Sequence, residues 1–351
     1  MNTKLLKELS EARGVPGQEQ NLRKIVRREL KGLVDDMNVD VMGNLICRKK
    51  GSGRSPKKVM IAAHMDEIGF IVKHIDDRGF LRLQPLGGFD PRQLFSQRML
   101  IDRVAGKPLK GVLCYAAKPI HLQRGSGNDS KPNLNGFFVD LGMSAAKVRK
   151  QVEIGAMVTL DRTFELVGDS VVGKSLDNRI GVFVMIEAVK KAKKHKVEIL
   201  AVATTQEEIG CRGAATSAFS LEPDIGIALD ITLACDIPGM SPQDHISKLG
   251  GGAAIKLMDS SLLGHPKVVS HFKTLAKANK IKHQMEILPF GGTDGCAIQR
   301  SRSGVPSMTL SVPCRYVHTV NEMCNKADIQ AAIDLLAAYL EDAHTAKYDL
   351  V

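Results

Sequence analysis

Lys58-Val59-Met60-Ile61-Ala62-Ala63-His64-Met65-Asp66-Glu67 carries an unbroken apolar run into three ionisable side chains. Residues 58–63 read as a buried strand running into His64. Before it, residues 3–12 and 18–33 read as helices. In the second, Leu22, Ile25, Val26 and Leu30 recur at helical spacing, and Gly14-Val15-Pro16-Gly17 marks the turn between the two. Short strand-like stretches fill 37–48. After it, residues 68–165 change character. Short β-like runs such as Gly69–His74 and Gly111–Cys114 alternate with Gly, Pro, Asp and Asn, and Gly125–Asn133 is the most loop-like stretch. This middle region predicts a small β-rich domain or barrel. From about 170 the pattern alternates. A helix is expected over 179–194, capped by Asp177 or Asn178. Strands are expected over Val197–Thr204, Asp224–Leu229, Ala253–Leu257, Gln284–Leu288 and Pro306–Val312. Further helices are expected over His265–Asn279 and Ala327–Tyr339. Such alternation predicts an α/β sheet covered by helices.

The chain has 351 residues, enough for two domains or one with a large insertion. It is 44% hydrophobic, but Trp is absent and aromatics are 4%, so aliphatic residues must fill the core. The formal charge is +11. The densest basic run, Lys190–Lys196, closes an apolar helical pattern, where cations suit the helix dipole. No basic stretch is interleaved with aromatics, so nucleic acid is not an expected partner. No signal peptide and no transmembrane-length apolar run is seen, so a soluble, cytoplasmic protein is expected. The seven cysteines, an odd number without Cys-x-x-Cys spacing, support neither a disulfide framework nor a thiolate zinc site.

Five short segments carry groups suited to chemistry, four of them at a strand end or a helix start. His64 is a structural histidine or a metal ligand. Asp66, two residues on, is placed to orient its ring. Asp177 is a helix cap or a bridging carboxylate, and one residue can be both. Glu207 and Glu208 follow the apolar strand. If buried, they repel each other unless a cation intervenes, and one can ligate while the other moves a proton. Asp230 is a ligand or the first exposed residue after its strand. His318, beyond the last strand, is open to the same two readings as His64. Together His64, Asp177, Glu208, Asp230 and His318 make a two-imidazole, three-carboxylate set suited to zinc, cobalt or manganese. Their separation in sequence means the fold must bring them together.

At Ala63–Phe70, Gly173–Gly181, Thr204–Gly213, Ala228–Gly239, Gly291–Gly295 and Ser311–Thr319 the chain resembles the glutamyl aminopeptidase family, which includes the tetrahedral (TET) aminopeptidases. Some members were once labelled cellulases or endoglucanases. The resemblance implies an α/β fold with a zinc-peptidase-like mixed sheet flanked by helices. The catalytic domain would span 1–67 and 166–351, with a small β-barrel-like dimerisation domain inserted at 68–165. It implies two divalent metal ions, zinc or cobalt, with His64 and Asp230 on one, Glu208 and His318 on the other, and Asp177 between them. Glu207 would be the general base and Asp66 the support of His64. The activity implied is release of the first residue of a peptide by a metal-bridged water, and the assembly is a dodecamer built from dimers. Gly291-Gly292-Thr293-Asp294 also resembles a family motif near the active site but reads by itself as a loop and helix cap. Gly295-Cys296 and Gln299-Arg300 depart from the family pattern, which leaves the preferred first residue open. Rival readings are hydrolysis of another amide (an N-acyl amino acid or a peptide carboxyl end) on the same site, a metal-independent glycoside hydrolase, and a non-catalytic binder of acidic partners.

Overall fold

The computed structural model describes residues 1–52, 55–122 and 131–350. Of the loop expected at 125–133, positions 125–130 lie outside the described residues. The chain divides into two compact units: residues 1–67, 163–317 and 321–351, and residues 68–162 with 318–320.

The first unit is built on an eleven-stranded mixed sheet. Its centre consists of four parallel neighbours in the order Glu198–Thr204, Lys58–His64, Ile225–Leu233 and Ser307–Arg315. Antiparallel strands extend both sides: Leu45–Lys49 and Asp36–Val39 on one, Glu322–Asn325, Ser170–Gly173 and Glu165–Val167 on the other. The central strands are buried at nearly every position because helices cover both faces. Val59, Ile61 and Ala63 join the large core under the helices Thr3–Glu11, Gln20–Leu30, Leu176–Lys191 and Lys326–Asp342. Met60 and Ala62, turned the other way by the two-residue period, pack with Ala214, Ala218 and Ile298 of the helices Arg212–Leu221 and Asp294–Gln299. The helix at 176–191 is buried along almost its whole length, which explains its lack of a polar stripe.

The second unit is a closed barrel, ordered Gly69–Ile75, Leu81–Leu86, Phe137–Asp140, Leu109–Tyr115, Gln97–Ile101 and Met157–Leu160. Alternate residues such as Phe70, Val72, Leu81, Leu83, Met99 and Ile101 fill its interior. The fold class is therefore a helix-flanked mixed sheet with a six-stranded barrel inserted in its sequence.

Three local details differ from the sequence reading or sharpen it. The strand at 225–233 does not end at Asp230, because its ladder with Ser307–Arg315 continues to Leu233 opposite Cys314. The helix starting near 176 ends at Lys191 rather than 194. Asp177 and Asn178 keep non-helical dihedrals, and it is Asn178 Oδ1 that accepts from the Gly181 N–H at 3.0 Å. Asn178 therefore does the capping, and the Asp177 carboxylate is left for other work.

Candidate metal centre

Parallel register sets the site. Thr204 lies directly opposite His64 at the ends of adjacent strands, so the Gln206–Glu208 turn emerges beside the His64 ring. On the other side, the ladder between Lys58–His64 and Ile225–Leu233 stops at Ala62 opposite Ala228. Asp230 thus lies past the last residues paired with Lys58–His64, while its other side still pairs with Ser311. Strand ends of this kind are where α/β sheets bind ligands.

His64 Nε2 lies 3.3 Å from Asp177 Oδ1, 3.7 Å from Glu207 Oε2 and 3.9 Å from Asp230 Oδ1. His64, Asp177 and Asp230 offer ligand atoms all within 4.8 Å of one another, and Asp177, Glu208 and His318 do the same. Asp177 is common to both sets. All five ligand candidates read from the sequence therefore fall into these two groups, and Glu207 belongs to neither while touching the first.

Burial of these groups is electrostatically costly as drawn. Burial pushes the Asp230 carboxyl well above the usual range, with Asp177 and Glu207 adding to it against His64. Glu207 is pushed up to about 8 by burial, opposed by His64 and reinforced by Asp294, Asp66 and Asp177. Burial alone would lower His64, but the Glu207, Asp177 and Asp66 carboxylates outweigh it and hold the ring well above its ordinary value. A crowd of buried carboxylates around one imidazole fits a cation: added positive charge would let the carboxylates ionise and the imidazole lose its proton. Nitrogen and carboxylate donors are those that hold zinc and similar divalent ions.

Asp66 touches both the His64 ring and the glutamate turn. The His64 Nδ1 contact at 3.1 Å is with the Asp66 backbone carbonyl, and the Asp66 carboxylate is at 3.5 Å. That carboxylate accepts from the backbone N–H groups of Glu207 and Glu208, each at 3.1 Å. It therefore clamps the turn that presents both glutamates.

Sequence reasoning missed the shell behind these groups. Glu322 accepts from the Asp177 N–H at 3.0 Å. Glu19 is buried and accepts from the Gln206 N–H at 3.3 Å. Thr204 donates to Asp294 Oδ2 at 2.5 Å, so Asp294, whose segment reads both as a family motif near the active site and as a helix cap, reaches the site. Glu67, Lys174, Ser175 and Arg179 form a buried network. Glu67 accepts from Lys174 at 2.5 Å and Ser175 at 2.6 Å, and its Oε1 is 3.4 Å from Arg179 Nη2. Arg179, with no exposed surface, also donates to the carbonyls of Leu9 and Ala12 at 2.7 Å. The available signal was adjacency: Glu67, Lys174 and Arg179 lie inside the segments that supply His64 and Asp177.

Comparison with known proteins agrees with this geometry. The sequence profile for the M42 glutamyl aminopeptidases matches residues 43–335, and a second profile, AMPT, matches residues 2–25. The lysyl aminopeptidase of Pyrococcus furiosus is 35% identical, covering 96% of this chain and 96% of its own. The structure of an aminopeptidase from the archaeon Desulfurococcus kamchatkensis superposes with a TM-score of 0.92 at 36% identity, covering 97% of this chain and 94% of that one. The TET1 peptidase of Pyrococcus horikoshii, solved as a tetrahedron or a large octahedral shell, gives 0.85 at 30% identity over 96% and 98%. A sheet whose strand ends gather two imidazoles and several carboxylates, matched over nearly its whole length by peptide hydrolases, places this chain in the M42 glutamyl aminopeptidase family of metallopeptidases.

Proposed function

We propose that this protein releases the first residue of peptides at a centre holding two divalent cations, zinc or cobalt. His64 and Asp230 would hold one, Glu208 and His318 the other, with Asp177 shared. The observation that carries this reading is the double membership of Asp177, with Glu207 outside both ligand sets yet 3.7 Å from the His64 ring. Such cations supply Lewis acidity to a peptide carbonyl and make a nearby water more acidic. Glu207 accepts a proton from the water that attacks the carbonyl carbon and returns it to the departing amine. The Asp66 clamp on the Glu207 and Glu208 backbone holds base and ligand in fixed relation. The remaining carboxylates near the centre favour a substrate's free α-ammonium group, which restricts cleavage to chain ends.

Self-association through the barrel into dimers and then a dodecamer is part of the same reading, supported by the shells formed by the P. horikoshii relative. So is a cytoplasmic location: no helix among the described residues is long and apolar enough to cross a membrane. The test is hydrolysis of aminoacyl-p-nitroanilides by metal-stripped protein before and after adding zinc or cobalt. Activity should return with metal, vanish when the amine is acetylated, and rank the first-residue preference. Silence on every free-amine substrate with metal bound would redirect the site to another amide. Light scattering of the same sample would give the assembly mass.

A further inference from the structure

A pocket of about 540 Å³ lies against the helices Arg212–Leu221 and Asp294–Gln299. Its lining includes Cys211, Phe219, Ser261, Cys296, Arg300 and Arg302. Two of these are thiols brought together from distant parts of the chain. Cys211 and Cys296 share a small buried cluster with Leu262. Cys211 Sγ also lies 3.4 Å from Glu207 Oε1. Cys296 Sγ is 3.5 Å from Arg300 Nη2. Arg302 is paired with Glu222 at 2.7 Å, whereas no carboxylate among the described residues pairs with Arg300.

Cys211 donates its single S–H to the Glu207 carboxylate, whereas Cys296 Sγ accepts from the Arg300 guanidinium. Neighbouring Cys211, then Ser261 and Arg300, hold the Cys296 thiol below its ordinary range against its burial. A thiol beside a cation is the better placed to ionise and attack, and one beside a carboxylate to keep its proton. Cys314 and Cys324 provide an internal contrast. They face each other across paired strands, but neither lines this pocket and burial pushes both thiols up.

We propose that Cys296 and Cys211 form a thiol–disulfide exchange site for small anionic disulfides entering this pocket, closing to an intrachain Cys211–Cys296 bond that withdraws Cys211 from Glu207. The Cys296 thiolate attacks one sulfur of the incoming disulfide, whose S–S bond breaks to release a thiolate. Cys211 gives its proton to that thiolate and attacks the Cys296 sulfur, expelling the second thiolate. Two cysteines are oxidised and one small disulfide is reduced to two thiols. The Arg300 guanidinium selects the anion. The effect on turnover rests on the Glu207 role proposed above, whereas the exchange itself does not.

The experiment treats reduced full-length protein with oxidised glutathione, or with the cationic disulfide cystamine, then blocks free thiols and maps peptides by mass spectrometry. The expected product is a Cys211–Cys296 cross-link, formed faster with glutathione, with aminopeptidase activity lost in parallel and restored by dithiothreitol. Arg300→Ala should slow the glutathione reaction by about tenfold without changing the thermal midpoint. Cys296→Ser should stay active and resist inactivation. Free thiols at both positions after treatment, or a cross-link that leaves out either cysteine, would overturn the proposal. An equal or faster reaction with cystamine would overturn the anion selectivity. Because peptide mapping does not depend on turnover, a failed cross-link and a failed aminopeptidase assay are separate results.

Discussion

Asp66 and Glu67 are consecutive and both buried, yet they belong to opposite electrostatic neighbourhoods. Glu67 sits between Lys174 and Arg179. Burial pushes its carboxyl up, but Lys174 and then Arg179 outweigh that and hold it below the usual range. One residue earlier the chain enters a cluster where Asp177, Glu207 and Asp230 crowd a single imidazole. The Glu67 network is balanced by the protein's own cations, whereas the His64 cluster needs charge from outside. Two buried acid clusters, one residue apart, thus differ in kind: one is braced by the protein's own cations and the other offers donors that could hold a metal ion.

The sharpest test removes proton transfer and leaves the ligand sets intact. Glu207→Gln should cost about 10²–10⁴ in kcat with metal still bound, read from steady-state kinetics beside a metal assay. Near-wild-type kcat would remove Glu207 from the mechanism. Glu67→Gln should instead act on stability. It leaves Lys174 and Arg179 buried without their carboxylate, at a cost of about 3–5 kcal/mol in denaturant unfolding, and a loss well under 1 kcal/mol would erase the contrast. Adding cation to stripped protein should stabilise it by about 2.7 kcal/mol at a hundred times the dissociation constant, seen as a rise in Tm. The binding should also release protons, because His64 and Asp230 hold theirs above the ordinary range in the metal-free site. Calorimetry in buffers of different ionisation enthalpy measures this, and identical enthalpies would contradict it.

The smallest expected effect is in acid. The folded-state value of Glu67 is depressed, so its contribution is fully present above the ordinary 4.5 and is lost as pH falls through the folded value. Wild-type stability should therefore decline below about pH 4.5 with a slope that Glu67→Gln flattens. Parallel slopes would show that other carboxylates govern acid unfolding.

The legible parts of the sequence were those with a local cause. Apolar runs announced the central strands at 58–64 and 198–204 because both faces are covered. The short, turn-broken stretches of 68–165 announced the barrel because each strand buries one face. Where the sequence reading slipped, the cause was a partner far along the chain. Asp230 lies inside its strand because Ser307–Arg315 prolongs the ladder. The clamp that Asp66 places on the glutamate turn was not read at all, because it exists only where Thr204 lies opposite His64 and brings Glu207 and Glu208 within reach.

By itself the sequence determined the kinds of donor available, the strands that carry them and the family pattern they follow, since these depend on residue identity and short-range period. It could not determine that Arg179 braces the Glu67 network or that Cys211 meets Cys296. Those relations join residues tens to more than a hundred positions apart, and only strand register and helix packing bring them together.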